Sequence, residues 1–117
     1  MAGYLSPMIS SLEKLLGTPR DGALLRYSLG LEYAKAGEGE RAAQYLRDAL
    51  ERDPLYSAAW KALGKALADA GKTDEAREAY RRGIEAARQK GDRQAEKEMT
   101  VFMKRLEKAA RVPGKDR

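Results

Sequence analysis

The chain contains neither cysteine nor histidine. The first absence removes any disulfide framework and any thiolate metal site, and leaves the redox compartment without a marker. The second removes the commonest acid-base group and the commonest metal ligand together, which counts against hydrolytic and metal chemistry. β-branched residues are scarce, aromatics make up 7% of the chain, and no segment carries a strand pattern. No apolar run approaches the ~20 residues of a membrane span. The opening MAGYLSPMIS has no basic segment and no apolar stretch of signal-peptide length, so a cytoplasmic location is the expectation. There is no G-x-x-x-x-G-K-[ST] loop, no G-x-G-x-x-G after a strand and no G-x-S-x-G turn. The sequence therefore predicts no enzyme, no catalytic residue, no cofactor and no metal ligand.

What is present is helix-forming: alanine, leucine, arginine, glutamate and lysine dominate. At 117 residues the chain makes one domain, with room for a core but not for a cleft between two domains. Its net charge of +5 lies C-terminally, because 23–56 is slightly acidic and 57–117 basic. Most of the basic residues alternate with acidic ones at helical spacing, as in Glu75, Arg77, Glu78, Arg81 and Arg82, which reads as a solvated face with intrahelical pairs.

The organising stretch is SAAWKALGKALADAG, from Ser57 to Gly71. Trp60, Leu63, Gly64 and Leu67 fall on one stripe of a helix, a buried seam in which Gly64 lets a neighbour approach closely. A shift of 34 residues superposes Leu29 on Leu63, Gly30 on Gly64, Tyr33 on Leu67, Gly37 on Gly71, Ala42 on Ala76 and Leu46 on Tyr80. One unit has been used twice. The pattern resembles the tetratricopeptide repeat, whose W-x2-L-G-x2-Y, A-x3-F and P positions are filled by Trp60, Leu63, Gly64, Leu67, Ala76 and Tyr80 in one copy. The other copy has Leu29, Gly30, Tyr33, Ala42, Leu46 and Pro54. It departs from the pattern at the tryptophan position, where Arg26 either lays its stem on the edge of the stack with its charge in water, or leaves the packing to Leu25. The later copy has Gly83 in place of a small alanine and no closing proline.

The resemblance implies an all-α, right-handed superhelical stack of six helices in one domain, 1–112. Ser6 and Pro7 start the first helix, whose apolar face is Met8, Ile9, Leu12, Leu15 and Leu16 and which Gly17 and Pro19 end. On the 34-residue frame this segment, 6–17, is the second half of a repeat, covering the open end of the stack. Repeats follow at 23–56 and 57–90, with Asp21 and Thr73 as expected caps of the second and fifth helices. A sixth helix over 92–110 closes the other end through Phe102 and Leu106, and Met1–Leu5 and 111–117 are expected to be loose ends.

The resemblance further implies an adaptor, scaffold or co-chaperone-like module that binds a peptide or helix in its concave groove. Off the seam, the second and fourth helices would present Leu24, Tyr27, Leu31, Ala58, Lys61, Ala62 and Lys65, and the sixth would add Met99. Lys61 and Lys65, one turn apart with no acid between them, read either as a pair awaiting an anion or as hydrated lysines. The terminal-carboxylate clamp of some family members is not matched, since Tyr27, Leu31 and Ala62 stand where it needs polar groups. The expected partner is a protein segment of mixed acidic and apolar character, bound by a monomer with modest affinity. Two alternatives are nucleic-acid binding through Arg77, Arg81, Arg82, Arg88 and the tail, and self-association through an incompletely capped end. The first lacks aromatic stacking platforms among its charges. Carboxylates such as Glu13 and Asp74 are expected on solvent faces without partners that would shift them.

Overall fold

Gly37 and Gly71, equivalent under the 34-residue shift, share a left-handed φ of +79°. That conformation suits glycine because a Cβ would crowd the backbone, and it lets the next residue turn back on the helix. The N–H of Glu38 bonds the carbonyl of Tyr33 at 2.9 Å, and the N–H of Lys72 bonds that of Leu67 at 2.9 Å. Each of these two identical stops thus turns the chain between the two helices of an antiparallel pair.

The computed structural model describes residues 6–110. Six helices follow one another: α1 (Pro7–Glu13), α2 (Ala23–Lys35), α3 (Gly39–Arg52), α4 (Ser57–Asp69), α5 (Thr73–Lys90) and α6 (Arg93–Ala110). Among the described residues there is no strand, and no helix is long and apolar enough to cross a membrane. The fold is an all-α helical repeat stack. Each helix packs on the next, and α2 touches α4 as α4 touches α6, whereas the backbones of α1, α3 and α5 stand apart and long side chains alone reach between them. The stack therefore has an inner layer of neighbouring helices, α2, α4 and α6, and a splayed outer layer.

The seam residues explain why the pairs close so tightly. A Cβ on Gly30 would stand 2.6 Å from Cγ of Leu46, and one on Gly64 would stand 2.6 Å from Cδ1 of Tyr80. In both pairs a large side chain of the outer helix rests on bare backbone of the inner one, so the ~1 kcal/mol propensity cost of each glycine is offset by contact. Leu29, Ala42, Leu46, Ala49, Ala59 and Ala76 are wholly buried around these crossings. Trp60 is buried too, and its indole N–H donates to the carbonyl of Pro54 at 2.8 Å, tying the seam to the preceding turn. Phe102 packs its ring 5.9 Å from that of Tyr80, which seats α6 on α5.

Several local expectations are corrected. Helix α1 ends at Glu13, and the chain winds on through tighter bonds from Leu15 N–H to Leu12 and from Leu16 N–H to Glu13. Its buried anchor is Ile9, while Met8 is half exposed, because so short a helix offers one residue to the core. Asp21 does not cap α2. Its carboxylate accepts the Gly17 N–H at 2.9 Å and pairs with Arg26 at 2.8 Å, and Gly22 takes the cap position. Arg26 lies at the edge of the stack, partly exposed, and its charge is paired with both Asp21 and Asp48. The Arg26 guanidinium, with help from Gly17, holds the Asp21 carboxyl well below the usual carboxylate range. Thr73 is the first helical residue of α5, and Lys72 precedes it without a side-chain cap. Glu13 is far from partnerless: its Oε2 accepts from the Tyr33 hydroxyl at 2.6 Å and the Tyr45 hydroxyl at 3.3 Å, joining α1 to α2 and α3. The segments Met1–Leu5 and 111–117, expected to be loose, lie outside the described residues.

Candidate peptide-binding face

The inner face is built from the sides of α2, α4 and α6 that turn away from the outer helices. On α2, Leu24 is 69% exposed, and Tyr27 and Leu31 are half-buried. The Tyr27 ring lies 4.8 Å from that of Tyr56, just before α4, so an aromatic pair bridges the first two inner helices. Burial pushes the Tyr56 hydroxyl's pKa up, with the neighbouring Tyr27 adding to it.

On α4 the expected lysine pair is not bare. Lys61 donates to Glu98 of α6 at 2.6 Å, and Lys65 lies 3.4 Å from Asp69 one turn on. The bond from Lys61, reinforced by one from Gln94, holds the Glu98 carboxyl below its ordinary range. A carboxylate from the next inner helix thus answers the charge that looked uncompensated along α4. Close by, Asp92 accepts the Ser57 hydroxyl at 2.7 Å and the Ala95 N–H at 3.1 Å, so one side chain caps α6 and fastens it to α4. Those two bonds lower the pKa of Asp92.

Met99, expected in the groove, is wholly buried and is corrected to a core residue. A Cβ on Gly83 would meet Met99 Sδ at 2.5 Å, so the side chain fills the space that Gly83 leaves open on α5.

The structure opens a cavity of about 380 Å³ further along, between the C-terminal halves of α4 and α6. Ala68, Tyr80, Phe102 and Leu106 form its apolar wall, and Lys65, Asp69 and Arg105 stand around its mouth. Burial pushes the Tyr80 pKa up to about 12, with Asp69 contributing, so the phenol stays neutral there. Arg105 lies 6.0 Å from the centre of the Phe102 ring. Of the residues expected in the groove, Lys65 alone reaches this cavity; Tyr27 and Leu31 belong to the other end of the face. The apolar stripe of the sixth helix can be read from sequence either as a ligand-binding surface or as a cap through Phe102 and Leu106, and the cap was the expectation; the stripe also lines this cavity, and Arg105 carried no signal of its own.

Chemically, this face can hold an extended or helical segment by apolar contact and charge. Among the described residues no group of acidic side chains is arranged to hold a metal ion. The basic residues that suggested nucleic acid are largely neutralised: Arg77 pairs with Asp74, Arg81 with Glu78 and Arg88 with Glu96.

The tetratricopeptide repeat family model matches residues 27–91. A TPR repeat-containing protein of Pseudomonas aeruginosa is 52% identical over 102 residues, 87% of this chain and 97% of the relative. A heat-shock cognate co-chaperone of Aspergillus fumigatus is 35% identical over 79 residues, 68% of this chain but 23% of that protein. A Bordetella parapertussis protein solved in solution superposes with a TM-score of 0.78 at 41% identity, covering 90% of this chain and 91% of that one.

Proposed function

The chain belongs to the tetratricopeptide repeat family, a family of protein-interaction modules, and from that premise we propose that its inner face binds a short peptide or helix of a partner protein. The observation that carries this reading is the apolar cavity between α4 and α6, with Lys65 and Arg105 at its mouth. One carboxylate, Asp69, stands beside those two cations, so the face favours a segment with both apolar and acidic side chains. Tyr27, Leu31 and Leu24 extend the same face and would carry the remainder of the segment. Lys61, committed to Glu98, contributes to the rigidity of the groove more than to its charge.

The domain reading that goes with this function is a half-repeat at 6–17, repeats at 23–56 and 57–90 and a closing helix at 92–110. The module would work as a monomer, in the cytoplasm, without catalysis of its own. The matched part of the Aspergillus relative is a minor share of a co-chaperone, which supports an adaptor role alongside larger machinery.

The test is selection of displayed peptides on the wild-type chain, followed by isotherms for the selected peptides with Lys65→Glu/Arg105→Glu and Ala68→Arg variants. Acidic and apolar peptides that lose about tenfold or more in affinity in both variants bear the reading out. Peptides that bind all three proteins alike place the site elsewhere. Light scattering at several concentrations decides the monomer.

A further inference from the structure

On the outer layer, α3 and α5 stand apart, and α4 floors the gap between them with Trp60, Leu63 and Leu67. Three cavities of about 380, 310 and 360 Å³ run along this gap, and Arg47 lines all three. One end is bridged by ion pairs from α3 to the start of α5: Glu40 to Lys72 at 3.5 Å and Arg47 to Glu75 at 2.9 Å. At the other end, near Leu50, Pro54 and Trp60, no ion pair among the described residues crosses the gap.

Arg82 stands at that open end. Its guanidinium carbon lies 5.0 Å from the centre of the Trp60 ring. Its neighbours on α5, Arg77, Arg81 and Arg88, each hold a carboxylate, but Arg82 has no ion-pair partner among the described residues. A guanidinium held against an aromatic ring keeps in-plane N–H donors for a carboxylate and loses little freedom when it takes one. Beside it, the walls of the 360 Å³ cavity are apolar through Leu50, Pro54, Trp60 and Leu63, and its size falls within the range of ligand pockets. Glu51 also lines this cavity, and with Arg47 paired to Glu75 it is Arg82 that is left to meet an incoming carboxylate.

We propose that the Arg82 end of the α3–α5 cleft is a second binding surface, for a peptide segment in which an aspartate or glutamate adjoins a leucine or aromatic side chain. The carboxylate takes Arg82 and the apolar side chain enters between Leu50, Pro54 and Trp60. A nucleic-acid backbone fits less well, because a run of phosphates would pass Asp74, Glu75 and Glu78 in the adjoining cavity, whereas a single carboxylate needs only Arg82. The surface lies on the layer opposite the inner face, so the two stand or fall separately.

Trp60 is the only tryptophan of the chain, which makes its fluorescence a local reporter. The full chain is titrated with three labelled nonapeptides, one combining aspartates with leucines, one with serine in place of leucine and one with lysine in place of aspartate, and with a labelled oligothymidylate. Binding is read by label anisotropy and by Trp60 emission in the wild type, in Arg82→Gln and in Lys65→Glu/Arg105→Glu, with far-UV circular dichroism to confirm that each is folded. The expected result is saturable binding of the aspartate and leucine peptide alone, a change in Trp60 emission, a loss of about tenfold or more in Arg82→Gln, and a change within about twofold in the inner-face variant. A smaller loss in Arg82→Gln, a silent Trp60, no binding of that peptide, equal loss in the inner-face variant, or an oligonucleotide that binds through Arg82 each overturns the proposal.

Discussion

Met99 of α6 lies on the bare backbone of Gly83 in α5. A Cβ at position 83 would stand 2.5 Å from its sulfur, and equally close to the Cβ of Trp60 on α4. One missing methyl group therefore lets three helices meet at a point. The Met99 side chain is flexible and can retreat, but the Trp60 Cβ is fixed to backbone, so an added methyl forces the helices apart. Gly83→Ala is expected to lower stability by about 1 to 3 kcal/mol, the range for overpacking, despite the better helix propensity of alanine. Urea denaturation measures it. A gain in stability would mean that the crossing has slack.

Glu13 fastens α1 to the stack through two tyrosine hydroxyls. Tyr33 also accepts from Arg41 at 3.1 Å, so the carboxylate ends a short chain of bonds. Glu13→Ala should cost about 1 to 3 kcal/mol, as for loss of a charged acceptor at part-buried donors. The loss should concentrate in the first helix: hydrogen exchange of the amides near Ile9 and Leu12 should accelerate well before those of α4. Uniform exchange in the variant would count against the latch.

Stability should fall between about pH 10 and 12. Burial raises the Tyr80 pKa to about 12 from its ordinary value near 10. Tyr33, Tyr45 and Tyr56 are raised as well, Tyr33 first by its bond to Glu13 and the other two first by burial. A phenol that ionises more easily in the unfolded chain releases its proton there first, so its stabilising contribution is complete below pH 10 and is lost as pH rises through the folded value. Tyr80 alone accounts for on the order of 2 kcal/mol. Urea midpoints from pH 8 to 12, with Tyr80→Phe for comparison, test this: the phenylalanine variant should lose less on the alkaline side.

Lys61 and Lys65 should separate under charge reversal. Lys61→Glu sets a like charge against Glu98 and removes a bond between α4 and α6, whereas Lys65 is 72% exposed beside an equally exposed Asp69. A half-exposed pair of the first kind contributes at most about 1 kcal/mol, and the exposed pair less. Thermal melts should therefore show a larger drop for Lys61→Glu. Equal melts would deny the bridge any role.

Trp60→Ala should cost about 3 to 5 kcal/mol, since the indole is 8% exposed and its N–H is bound to the Pro54 carbonyl. Urea titration decides it, and a loss below about 1 kcal/mol would make Trp60 a surface residue.

The helix count, the antiparallel pairs and the close approach at Gly30 and Gly64 were legible in the chain, because periodicity, glycine stops and small residues act over one or two turns. The Glu13 latch was not, since its partners lie 20 and 32 residues away and nothing local marks an acid that two tyrosines will seek. Asp21 had the right chemistry for a cap but bonds the Gly17 N–H and Arg26 instead, and Arg26 reaches Asp48 of α3 as well, a contact 22 residues away that no local pattern marks.

The candidate site divides in the same way. By itself the sequence determined the family, the repeat frame and which residues share a helix face, all of which follow from spacing within the chain. Only the tertiary structure decided that Lys61 is neutralised by Glu98, that Met99 is core, that a pocket opens beside Phe102 and that Arg82 stands over Trp60 with no ion-pair partner among the described residues. Those four outcomes depend on how far apart two helices stand and on which side chains meet between them. Such distances are set by the packing of the whole stack, not by any one segment.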